Sequence, residues 1–145
     1  MATLILNLDN LLSKLDDFAD MDLTKPMEQA CLLVENDAKR NCPVDTGQLR
    51  SSIRHEIEGV NKEDIVGVVG SNVEYAPYVE YGTGIYARDN NGRKTPWAYT
   101  DLKTGETVWT HGSHPHPYLE PALLANKDNI RKIFREAIKE EAENV

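Results

Sequence analysis

A chain of 145 residues with 40% apolar and 28% charged side chains is one domain's worth of soluble globular protein, long enough to build a core without disulfide or metal staples. Its net charge of −8, with no basic run longer than Arg93-Lys94 or Arg131-Lys132, sets the surface against nucleic-acid phosphate and excludes sequence-directed DNA binding. The start offers only Leu4-Ile5-Leu6 as consecutive apolar residues and no basic flank, so neither a signal peptide nor a membrane span is expected and the place of synthesis and residence is a cytoplasm.

Leu8, Leu11, Leu12, Leu15, Phe18 and Ala19 recur at helical spacing and predict an amphipathic helix over residues 7–20. Thr24 is placed to cap a second helix with Pro26 in its first turn, whose stripe is Met27, Cys31, Val34 and Ala38 and whose end is Cys42-Pro43. Two cysteines eleven residues apart on one helix are separated by about 16 Å along its axis, too far for a disulfide, so both read as reduced core thiols.

Residues 43–53, PVDTGQLRSSI, contain an Asp-Thr-Gly triplet, which is how a homodimeric aspartic protease writes its catalytic loop. Such a loop joins buried apolar strands, whereas Asp45 follows a helix end and precedes polar residues. With Gln48 three positions on, Asp45 reads instead as the cap of a new turn, Gln48 reaching back as in a capping box.

The period then changes to two. Ile53, His55 and Ile57 alternate with Arg54, Glu56 and Glu58, a strand with one wet face, which makes His55 a packed or edge histidine. Residues 59–63 turn the chain, and residues 65–70, IVGVVG, are apolar on both sides, as a more central strand would be; their glycines suggest a bulge or a close approach. In residues 74–84, EYAPYVEYGTG, Pro77 suits a first helical turn and Gly82 its end. After a polar loop over residues 87–94, residues 96–100 and 106–110 read as a hairpin carrying Trp97 and Trp109 around a five-residue loop. From about Tyr118, behind Pro117, a long terminal helix carries Leu119, Leu123, Ile130, Phe134 and Ala137. The whole, residues 1–145, is predicted as a single α+β domain: two N-terminal helices, a small antiparallel sheet with a hairpin insertion, and a long C-terminal helix packed on the sheet.

Chemistry is little advertised. His111, His114 and His116 lie within six residues, yet Pro115 and Pro117 hold them extended and no cysteine stands nearby, so no metal site is expected. Gly82-Thr83-Gly84 lacks the third glycine and the lysine of a phosphate loop, and no serine has an activating context. No catalytic residue and no cofactor is expected. What stands out is a concentration of aromatics, prolines and glycines in loops, the composition of protein contacts: Tyr75, Pro77, Tyr78, Glu80, Tyr81, Gly82, Thr83, Gly84, Trp97 and Trp109 are the candidate assembly contacts.

Taken in order, PVDTGQLRSSI (43–53), VEYAPYVEYGTG (73–84) and PYLEPAL (117–123) followed by a terminal helix resemble the small tailed-bacteriophage proteins of the head–tail joint, known as neck, tail-completion or head–tail joining proteins. The resemblance covers nearly the whole chain and departs at residues 85–112, where members carry a variable loop. It implies a non-enzymatic virion component, made in the host bacterial cytoplasm, which assembles with other neck, head-closure and tail proteins as a homo-oligomeric ring. The readings it competes with are the Asp45 protease and a prophage-encoded protein-binding module.

Overall fold

The computed structural model describes residues 2–7, 22–59 and 64–143. Strands β1 (Ala2–Asn7), β2 (Arg54–Glu58) and β3 (Asp64–Gly70) form an antiparallel sheet in the order β1-β3-β2, so β3 is central, as its apolar composition predicts. The chain therefore opens on a strand to which the sequence reading assigns nothing, paired from Ala2 opposite Val69 to Asn7 opposite Asp64. Beyond Asn7, the helix expected over residues 7–20 lies outside the described residues.

Helix α1 (Thr24–Asn41) is the hub of the core. Met27, Ala30, Cys31, Val34 and Ala38 are all buried, and they lie at the three- and four-residue spacing that makes one helical face. That face meets β2 and β3. Where they meet, Gly67 leaves a notch: a Cβ there would stand 2.2 Å from Cys31 Sγ and 2.8 Å from Met27 Sδ, so the central strand accepts the helix only because it lacks a side chain at this point. On β2, His55 and Ile57 turn inward while Arg54, Glu56 and Glu58 face water. Asp22, not Thr24, supplies the start of α1, its Oδ1 accepting the Thr24 N–H at 2.9 Å. Both cysteines are free and buried.

The C-terminal helical region is two helices, α4 (Leu119–Ala125) and α5 (Lys127–Glu143), numbered after the one-turn α2 (Gln48–Ser52) and α3 (Ala76–Tyr81). Asn126 makes the break. Its buried side chain donates to Ala122 O at 2.7 Å and to Asp37 Oδ2 at 2.5 Å, closing α4 and tying it to α1, while its carbonyl accepts the Ile130 N–H that begins α5. Helix α5 packs Ile130 and Phe134 into the core against α1, while α4 touches both α1 and β1, so the C-terminal helices complete with α1 the layer that covers the sheet. Strands β4 (Trp97–Thr100) and β5 (Thr107–Thr110) form a separate two-stranded sheet, the expected hairpin.

Candidate assembly site

The aromatic segment folds as its composition dictates. Pro77 stands in the first turn of α3, and Gly82, at φ 79°, ends the helix by donating its N–H to Tyr78 O at 2.9 Å. Four-residue spacing puts Ala76 and Glu80 on the inner face, both buried, and leaves Tyr78 and Tyr81 outside. Glu80 is 2% exposed, and its carboxylate accepts three backbone N–H groups, from Tyr118 at 2.8 Å, Leu119 at 3.0 Å and Glu120 at 2.9 Å. These are orphan donors of the first turn of α4, which has no cap from its own Ncap side chain. A carboxylate from residue 80 thus caps a helix beginning at residue 119.

A second set of bonds runs alongside. Thr83 N–H donates to Ser113 O and Ser113 N–H to Thr83 Oγ1, each at 2.9 Å; Ile85 N–H reaches His111 O at 3.1 Å and His116 N–H reaches Val79 O at 2.8 Å. The backbones approach so closely that a Cβ on Gly84 would stand 1.9 Å from His111 O, and one on Gly112 2.1 Å from Thr83 O. Residues 79–85 and 111–120 form one clasp, which uses the extended His-Pro segment for its backbone. Of the histidine side chains there, His114 stacks on Tyr86 with ring centroids 3.9 Å apart.

Among the candidate contacts, Glu80, Gly82 and Gly84 are buried within the clasp, and the half-buried Thr83 accepts the Ser113 N–H with its hydroxyl oxygen; Gly82, Thr83 and Gly84 also line the cleft beside α3. The expected cap is corrected. Helix α2 begins after Gly47, at φ 85°, with no side-chain bond from its Ncap, and the Gln48 N–H is met by Thr46 Oγ1 at 3.3 Å. The left-handed Gly47 carries Asp45 away from the turn. Its carboxylate is exposed and pairs with Lys103 at the hairpin tip, and Gln48 accepts from the Tyr75 hydroxyl at 3.4 Å.

Tyr75, Pro77, Tyr78 and Tyr81 remain exposed, Tyr78 at 60%, with Tyr75 turned to the cleft beside Gln48 and the other three to a second cleft. This second cleft, of about 560 Å³, is lined by Pro77, Tyr78, Tyr81 and Trp97, and the Arg93 guanidinium lies 5.7 Å from the Trp97 ring centre. Trp109, at 71%, and Leu102, at 98%, stand out from the hairpin. Tyr86, Tyr99 and Leu102 extend this surface beyond the residues singled out from sequence; the alternation Trp97, Tyr99 was the available signal. At the clasp's rim Arg88 forks onto both oxygens of Glu120, and this hydrogen-bonded guanidinium holds the Glu120 carboxyl below the usual carboxylate range.

The model of the family described as "Bacteriophage HK97-gp10, putative tail-component" matches residues 2–82, more than half of the chain. The match takes in the sheet, α1, the Asp-Thr-Gly turn and α3, and stops before the hairpin. No curated protein and no solved structure matches the chain.

Proposed function

We propose, from the premise that this chain belongs to the HK97 gp10-like family of bacteriophage tail components, that it is a non-enzymatic virion protein of the head–tail joint, a neck or tail-completion component. It works as a homo-oligomeric ring that meets other neck, head-closure and tail proteins. The observation that carries the reading is the exposed set of Tyr75, Pro77, Tyr78 and Tyr81, carried by a one-turn helix whose inner face is fastened by Glu80. Aromatic side chains held rigid in the free protein lose little entropy on contact, which is what an assembly surface needs. Trp97 and Trp109 extend that surface onto the hairpin, and the net charge of −8 suits a part that lets DNA pass without holding it.

Deleting the gene from the phage and imaging the particles tests this: filled heads and separate tails that fail to join are expected. Normally joined, infectious particles would overturn the joint assignment and leave a prophage-encoded binding module as the better reading. Tyr78→Ala and Tyr81→Ala in the intact phage, both folded and soluble, are expected to impair joining.

A further inference from the structure

The hairpin of β4 and β5 stands apart from the three-stranded sheet, and its two edges are open among the described residues. Two strands alone are marginal in water. Its register can be read to the single N–H. The Asp101 N–H donates to Glu106 O at 2.8 Å, which makes Asp101–Glu106 a hydrogen-bonded pair. By the alternation of an antiparallel ladder, Tyr99–Val108 and Trp97–Thr110 are also hydrogen-bonded, while Thr100–Thr107 and Ala98–Trp109 are not. Ala98 and Thr100 therefore aim their N–H and C=O outward from β4, and Thr107 and Trp109 aim theirs outward from β5. All four residues are exposed, and no backbone partner for them occurs among the described residues.

Natural sheets guard such edges with charge, proline or a bulge. Here WAYT and TVWT carry no charge, in a chain in which 28% of residues are charged. The only guard is Pro96, just before β4. Two copies, each at −8, repel overall, and an uncharged strip of this kind adds nothing to that repulsion.

We propose that these edges are the contact between copies of the chain: β5 of one copy lies antiparallel to β4 of the next. Each copy then offers two outward N–H and two outward C=O groups on either side, and one repeated contact satisfies both edges. The contact is head-to-tail, so repetition generates a ring where the rotation closes, and a closed ring leaves no edge. Trp109, now 71% exposed, comes to lie over a neighbouring strand. The proposal rests on the homo-oligomer reading above, though not on where in the particle that oligomer sits.

The test uses the purified full chain, by sedimentation over a range of concentrations and by residue-resolved amide exchange. Association is expected, with exchange at Ala98, Thr100, Thr107 and Trp109 slowed as it proceeds. Thr107→Pro removes one outward donor and leaves the hairpin's internal ladder intact, so it is expected to weaken association by about tenfold. Trp109→Lys, at an exposed position that the fold does not use, is expected to do the same by setting a charge on the strip. A chain that stays monomeric to about 1 mM, or an oligomer indifferent to both substitutions with the four amides exchanging freely, would overturn the proposal. Either result would leave the gene-deletion phenotype to decide the place in the virion on its own.

Discussion

Two side chains beside each other in the core do opposite things with their polar atoms. The Glu80 carboxylate is spent on three N–H groups of α4, whereas the hydroxyl of the wholly buried Tyr118 has no hydrogen-bond partner among the described residues. Glu80→Gln keeps the size but has one acceptor oxygen where two are used, and turns an amide N–H₂ toward backbone donors. It is expected to cost about 3 kcal/mol, since hydrogen bonds to charged groups are each worth about 1.5–3 kcal/mol. In a chain of this length that is a fall in melting temperature of roughly 10 °C, measurable by calorimetry. Tyr118→Phe should do the reverse. Burial pushes the hydroxyl's pKa well above its usual range, so it is neutral, and an unpartnered buried hydroxyl contributes nothing that its removal forfeits. The variant is expected to be as stable as the wild type or up to about 1 kcal/mol more so, read from urea midpoints. Neither residue announces itself in sequence: a glutamate among tyrosines reads as exposed, and its partners stand 38 to 40 positions away. The signal that could have found it is at the other end, where the helix after Pro117 starts at Tyr118 with no capping residue and needs an acceptor from elsewhere.

Elements were legible in proportion to how local their reasons are. The stripe of α1 and the alternation of β2 repeat within a few residues, and both came through with their boundaries nearly right. The break at Asn126 did not, because Leu119, Leu123, Ile130 and Phe134 stay in phase across it and the partner that fixes it, Asp37, is 89 residues away. The Asp45 cap failed for a related reason: Gly47 takes a left-handed turn, which the capping pattern alone does not reveal. Where α1 meets β2, Glu35 accepts from Lys39 at 2.5 Å and faces His55 Nδ1 at 2.5 Å. Burial alone would raise its pKa, but the hydrogen bonds and charges of Lys39 and His55 prevail and hold the carboxyl below its ordinary value. The unfolded chain then binds the proton more readily, so this contribution to stability is complete above the ordinary carboxylate range and is lost as pH falls through the lowered value. Urea midpoints measured from pH 7 into acid should fall more steeply for the wild type than for Glu35→Gln, which has already lost the ionised form.

At the scale of the molecule, the chain is a core of α1, sheet and C-terminal helices with an appendage, and the clasp marks the seam between them. Among the described contacts, the tip of the hairpin touches the rest through the exposed pair of Lys103 with Asp45, a kind of bridge worth about 0–1 kcal/mol. Replacing residues 96–109 with a short flexible linker is therefore expected to leave the cooperative melting of the core within a few degrees of the wild type while abolishing self-association. Loss of the core transition would show that the hairpin belongs to the folding unit. The family match reaches residue 82 and stops at this seam. Because Thr83 and Ser113, and Ile85 and His111, are already bonded across it, the two ends of the intervening stretch are brought together by the core itself. The entropy of closing a loop grows only slowly with its length, so the core sets little limit on the length of what is strung between those ends. The polar loop ahead of β4 is a natural socket, at which a foreign peptide could be spliced in beside an intact hairpin and displayed once by every copy.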